Sequence, residues 1–189
     1  NVFLNMALNK QWKEIDTFLN KFQQACKQLR YASFPVVAAP SGLAIGGGYE
    51  VVSQTDFVAA HSNSVLGLVE TLVGLIPAGG GCKEMIRRYA NDPKAKEDIA
   101  YASIKAFNTI GYALTTDSPN KSKDYRFLEK NDFMVMSRDR LIAESDKMIA
   151  SKKENYLPPI EPTFNLPGST IMPKMIEILE NLLELNKIK

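Results

Sequence analysis

Two glycine-rich turns constrain this chain most. The first is Pro40-Ser41-Gly42-Leu43-Ala44-Ile45-Gly46-Gly47-Gly48-Tyr49-Glu50 and the second is Pro77-Ala78-Gly79-Gly80-Gly81. Each follows an apolar, strand-like stretch and leads into a segment that reads as a helix: Gly47 to about Gln54, and Lys83 to Ala90. Such turns aim backbone N–H groups at one region, which suits an anion or a developing oxyanion. Glu50 and Glu70 stand twenty residues apart within this segment. Two carboxylates at such a place can divide acid and base work, provided their surroundings push their pKa values apart. The glycines do not spell G-x-G-x-x-G in a strand–turn–helix unit, and no Ser or Thr follows Lys83, so neither a dinucleotide fold nor a P-loop is read here.

Composition narrows the remaining chemistry. With 189 residues, 45% of them hydrophobic, one medium domain can build a core. The net charge of +2 is too small for a dedicated nucleic-acid binder, and no basic cluster is interleaved with aromatics. Two cysteines, Cys26 and Cys82, are too few for a disulfide framework or a Cys-built zinc site. One histidine, His61, excludes a His-pair metal site, so no metal is expected. No apolar run approaches the roughly 20 residues of a membrane span. No signal peptide is read, and the expected location is cytoplasmic.

Along the chain, Gln11 to Tyr31 carries Trp12, Ile15, Phe18, Leu19, Phe22, Ala25, Cys26 and Leu29 at helical spacing, and this stripe is expected to be core. Phe34-Pro35 stops it. Val36 to Ala39 and Phe57 to Ala60 are short strand candidates, with the segment from Pro40 to Gly46 read as loop. Ala95 to Ala113 reads as one helix, 115–136 as irregular, and Ser137 as the cap of a helix through about Asn155. The prolines of Tyr156 to Gly168 indicate an extended arm, and Ile171 to Ile188 an amphipathic helix that needs a partner surface. Lys83, Arg87 and Arg88 are expected on a solvated helix face. Cys82 is expected to be a small buried residue rather than a nucleophile.

The segment Pro35 to Glu50 resembles the crotonase (enoyl-CoA hydratase/isomerase) superfamily, in which a strand runs into an ALGGG-x-E turn. Gly67-Leu68-Val69-Glu70-Thr71-Leu72-Val73-Gly74-Leu75-Ile76-Pro77-Ala78-Gly79-Gly80-Gly81 is similar to that family's G-x-x-E-x-x-x-G-x-x-P-G-x-G-G block. The separation of the two glutamates matches its hydratase branch. Phe22-Gln23-Gln24, Lys83-Glu84-Met85, Met136 to Leu141 and Pro158 to Gly168 narrow the likeness to bacterial bifunctional 3-hydroxyacyl-CoA dehydrogenases with a crotonase-like domain at their C-terminal end.

The resemblance implies an α/β, crotonase-like ββα superhelix lacking its first strands, followed by C-terminal helices. It divides the chain into a partial core over 1–113, a helical part over 114–156, a Pro-rich linker over 157–168 and a closing helix over 169–189. It implies Glu70 as the acid/base at the substrate's α-carbon and Glu50 as the holder of the water that adds at the β-carbon. Gly47 would give a backbone N–H to the thioester oxygen, with Gly46, Ala78 and Gly79 also at the substrate. Ala78 stands where many relatives have glycine. Asn1 falls within the family's first oxyanion loop, so its second donor would precede this chain, and a truncated piece is expected. The substrate implied is an acyl-CoA in fatty-acid β-oxidation. No cofactor is expected in this chain, and NAD only in the dehydrogenase part. Other implied readings are an isomerase or acyl-CoA hydrolase, or a catalytically incomplete docking fragment. The partners implied are further copies, as dimer or trimer, or a dehydrogenase domain.

Overall fold

A computed structural model describes residues 2–185. The chain opens with α1 (Val2–Leu8) and α2 (Trp12–Arg30). It then makes two similar passes. The first runs β1 (Val37–Ala38), β2 (Leu43–Ile45) and α3 (Gly47–Ser53). The second runs β3 (Phe57–His61), β4 (Val65–Gly67), a 3-10 turn (Glu70–Val73) and α4 (Gly81–Ala90). The first strand of each pass enters one sheet, with Val37 opposite Phe57 in parallel register. The second strand of each enters the other, with Ala44 opposite Leu66, again parallel. Consecutive passes therefore stack as turns of a spiral, and the segments leaving β2 and β4 emerge at the same end. The Gly46 N–H donates to Gly67 O at 2.8 Å and ties the two exits together.

Residues after the spiral complete both sheets. Following α5 (Tyr101–Gly111), β5 (Thr115–Thr116) pairs antiparallel with β4. After α6 (Pro119–Asp124), β6 (Phe133–Val135) pairs parallel with β3. This corrects the expectation that 115–136 is irregular. Its local sequence is polar, but Ser118 caps α6 by accepting the Lys121 N–H, Pro119 starts it, and the two short strands exist only through their distant partners. The strand at Leu43–Ile45 likewise replaces the expected loop, because β4 supplies its hydrogen bonds.

The core lies between the second sheet and α3, α4 and α5. Tyr49, Leu66, Leu68, Met85, Phe127 and Leu128 are all but sealed from water. The Tyr49 ring meets Phe127 edge-on with centroids 5.0 Å apart, and its hydroxyl donates to Phe127 O at 3.0 Å. A smaller core of Ala59, Val135 and Leu141 fixes α7 (Leu141–Lys152) against the first sheet.

Other expectations need correction. The helix expected over Ala95 to Ala113 is interrupted: a 3-10 turn (Pro93–Lys96) ends, Asp98 accepts the Ala100 N–H at 2.8 Å, and α5 starts afresh. Ser137 makes no side-chain cap; a 3-10 turn (Arg138–Arg140) leads into α7 instead. The stripe of α2 is mostly not core. Only Cys26 is buried, while Trp12 and Phe18 are exposed, because little else among the described residues packs on α1 and α2. Arg87 and Arg88 do not lie on a solvated face. Arg87 pairs with Glu84 at 2.8 Å and with Glu129 at 3.1 Å, and Arg88, nearly inaccessible, donates to Phe127 O and Ser53 O.

Residues 157–167 form no regular element, as the prolines require, and a 3-10 turn (Gly168–Ile171) starts α8 (Met172–Glu184). Ile171 is buried, and Met175 lines an apolar cavity of about 420 Å³ with Ile86, Ala106, Phe107 and Ile110. Met175 of α8 thus faces α4 and α5 across this cavity. The expectations for Asn1 and for the helix end at Ile188 lie outside the described residues.

Candidate active site

Glu50 and Glu70 occupy equivalent places on successive turns of the spiral. Glu50 sits in the first turn of α3, after β2; Glu70 opens the 3-10 turn after β4. Glu50 is 2% exposed. Its Oε1 accepts the N–H groups of Gly79 and Gly81, both at 2.8 Å. The second glycine turn therefore clasps one oxygen of the carboxylate, and Oε2 is left for other work. Charge-assisted bonds of this kind are strong and fix the rotamer.

Glu70 is held differently. Both of its carboxylate oxygens are shielded from water and neither has a hydrogen-bond partner among the described residues. Burial raises its pKa above the ordinary carboxylate value, the nearby N–H groups of Glu70 itself and of Val69 offset part of the rise, and the negative charge of Glu50 adds to it. One carboxylate is thus clasped by N–H donors while the other is destabilised as an anion. Such unlike surroundings suit two carboxyl groups that divide base and acid work.

Gly46 connects them. Its φ of +55° turns the chain from β2 into α3, and a Cβ there would stand 3.2 Å from Glu70 Oε1. Gly47 follows at the first position of α3, where N–H groups have no partner within the helix. Gly79 is buried beside Glu50, and Ala78 gives its carbonyl to Gln23 Nε2 at 2.9 Å. All six residues singled out from the sequence, Glu50, Glu70, Gly46, Gly47, Ala78 and Gly79, thus surround one place.

Sequence reasoning missed three contributors. Gly81 shares the clasp on Glu50. Phe22 lays its ring over the glycines: a Cβ on Gly79 would collide with it, and one on Gly47 would lie 3.5 Å from Cζ. Cys26, one helical turn further, is buried, with its thiol pushed up to about 11 by burial and by the charge of Glu50. Helical spacing put Phe22 and Cys26 on the inner stripe, but no local signal said that this stripe meets the glycine turns. Cys82 is half-buried, and its thiol is raised first by burial and then by both glutamates, which makes it a poor nucleophile. No group of His, Cys, Asp and Glu able to hold a metal occurs among the described residues. No helix among them is long and apolar enough to cross a membrane.

Stacked ββα passes with two carboxylates at the exits define a crotonase-type protein, and comparison with known proteins agrees. A family model described as enoyl-CoA hydratase/isomerase matches residues 3–105, and the chain belongs to that family. The chain is 34% identical over 158 residues to a protein of Bacillus subtilis (strain 168) named probable 3-hydroxyacyl-CoA dehydrogenase, covering 83% of this chain and 20% of that protein. It is 36% identical over 107 residues to the mitochondrial methylglutaconyl-CoA hydratase of Mus musculus, covering 53% of this chain and 34% of the other. The fold matches the crystal structure of an enoyl-CoA hydratase from Polaromonas sp. JS666, with a TM-score of 0.60 and 24% identity over 80% of this chain and 52% of that one. The chain spans about a fifth of the length of the Bacillus relative.

Proposed function

We propose that this chain is the enoyl-CoA hydratase part of a fatty-acid-oxidising 3-hydroxyacyl-CoA dehydrogenase, and that it adds water to a trans-2-enoyl thioester. The observation that carries this reading is the contrast between the clasped carboxylate of Glu50 and the buried, unpartnered one of Glu70. Glu50 Oε2 takes a proton from water as the oxygen attacks the β-carbon. Glu70, protonated to higher pH than an ordinary glutamic acid, gives its proton to the α-carbon. Negative charge builds on the thioester oxygen between these events. The Gly47 N–H receives it, and one such donor is worth about 2.7–4 kcal/mol in the transition state.

The likeness to a protein named 3-hydroxyacyl-CoA dehydrogenase supports placing the product, a 3-hydroxyacyl thioester, with an NAD-dependent oxidation carried out elsewhere in the larger protein. The exposed apolar residues Val2, Leu4, Leu8, Trp12 and Phe18 on α1 and α2 support contact with that part or with further copies of this chain. The test is incubation with crotonyl-CoA while absorbance of the conjugated thioester and free thiol are followed together. Loss of absorbance without thiol release supports hydration. Thiol release makes the chain a hydrolase, and no change of either by a folded chain contradicts the proposal.

A further inference from the structure

The Ala78–Gly79 peptide is held at both ends. Its N–H, on Gly79, donates to Glu50 Oε1 at 2.8 Å, and its carbonyl, on Ala78, accepts Gln23 Nε2 of α2 at 2.9 Å. A trans peptide points these two groups in opposite directions, so a donor on the carbonyl fixes where the N–H points. Gln23 is exposed, whereas Gly79 and Glu50 are buried. The link thus runs from the surface of α2, through one peptide unit, to the carboxylate.

The other donor to Glu50 is secured differently. The Gly80–Gly81 peptide, whose N–H also reaches Oε1 at 2.8 Å, belongs to the start of α4: its carbonyl, Gly80 O, accepts the Glu84 N–H at 2.9 Å. The Ala78–Gly79 peptide precedes the helix, and Gln23 stands in the place of that helical bond. Glycine on its C-terminal side lets such a peptide turn over at little steric cost. Turned over, it would aim a carbonyl at Glu50 in place of an N–H. The charge of an ionised Glu50 opposes this, but a neutral carboxyl grips an N–H less firmly.

Resting on the hydration reading above, in which Glu50 takes a proton from water, we propose that Gln23 is a positioning residue: its amide holds the Ala78–Gly79 peptide so that the N–H stays on Glu50 throughout the proton transfer. Water can satisfy the Ala78 carbonyl when Gln23 is absent, but it does not fix the direction of the peptide. The loss therefore falls on the rate more than on the fold.

The test uses the full chain with Q23M, which removes the donor at similar length, Q23E, which puts an acceptor there, and Q23K, which keeps a donor. NMR spectra report the Gly79 and Gly81 amides, and crotonyl-CoA hydration is measured on the same samples. In Q23M the Gly79 amide proton should move upfield and exchange faster with solvent, while Gly81 stays where it is. A loss of stability alone would not separate the two. The kcat should fall about 2- to 10-fold with KM unchanged, the factor that a net hydrogen bond is worth. Q23E should lose more, and Q23K should recover most of the loss. A Gly79 amide unchanged in Q23M overturns the inference, and so does a moved amide with unchanged kcat. A moved amide in a chain whose wild type hydrates nothing overturns the hydration reading and leaves Gln23 as a hold on the turn alone.

Discussion

The Gly79 N–H donates to Glu50 Oε1 at 2.8 Å, so the second glycine turn is tied to the helix that the first one starts. Gly81 repeats the bond on the same oxygen. The polar clasp explains why a carboxylate can be 2% exposed and still be an ordered part of the fold.

Glu50→Gln keeps an oxygen for both N–H groups and replaces the free oxygen by an NH₂ that cannot accept a proton. The fold should survive, with a melting temperature within a few degrees of wild type. Hydration should fall by about 10²–10⁴-fold, the usual worth of a positioned base. Thermal melting and steady-state assay on the same sample check the two halves together. A large loss of stability would mean that the second oxygen holds structure.

Glu70 gives a pH prediction. Its pKa in the folded chain lies above the ordinary value of 4.5, because burial and Glu50 oppose its charge. Between the unfolded and folded values the folded chain binds more protons, so stability falls as pH rises through that window. Below the unfolded value the acid is neutral in both states and contributes no slope. Glu70→Gln removes the titration. The melting temperature of the variant minus that of wild type should therefore increase as pH rises from below 4.5 through the Glu70 window, and the fall in wild-type hydration as pH rises through that window should disappear along with most of the activity. A difference that decreases with pH would contradict the assignment.

Gly79→Ala puts a methyl group into Phe22 and close to Glu50 Oε2. Overpacking of this kind costs about 1–3 kcal/mol. Because the closest clash is with the Phe22 ring, the double change F22A/G79A should be less destabilised than the sum of the single changes, as coupled neighbours are. Urea unfolding of the four proteins measures this; strict additivity would show that Phe22 does not lie against Gly79.

Asp132, 5% exposed, accepts the Val58 N–H at 2.8 Å through one oxygen and the Glu129 N–H at 2.7 Å through the other. It joins β3 to the turn before β6. Asp132→Ala leaves two sheltered donors unpaired, each worth about 1–3 kcal/mol. Unfolding midpoints should fall accordingly, with Asp132→Asn intermediate because it retains one acceptor.

Much of the site was legible because its parts are close in sequence. The glycine turns, Glu50 and Glu70 lie within one short segment, and their resemblance to a known family predicts one shared site, which the spiral brings about by stacking successive passes. The strands β2, β5 and β6 were not legible. Each is two or three residues long and owes its form to a partner far along the chain. Arg88 reads as a surface residue by type, and the carbonyls of Arg126, Phe127 and Ser53 make it an interior one. Phe22 reads as core by period, since periodicity gives a face but not what that face covers.

The central claim is that Glu50 and Glu70 act as a pair on an enoyl thioester. The most direct measurement is the rate of crotonyl-CoA hydration by wild type, Glu50→Gln and Glu70→Gln side by side, with folding of each confirmed. Paired action predicts turnover by wild type and a loss of at least about 10²-fold in each variant. Hydration that persists in either folded variant at the wild-type rate would contradict it.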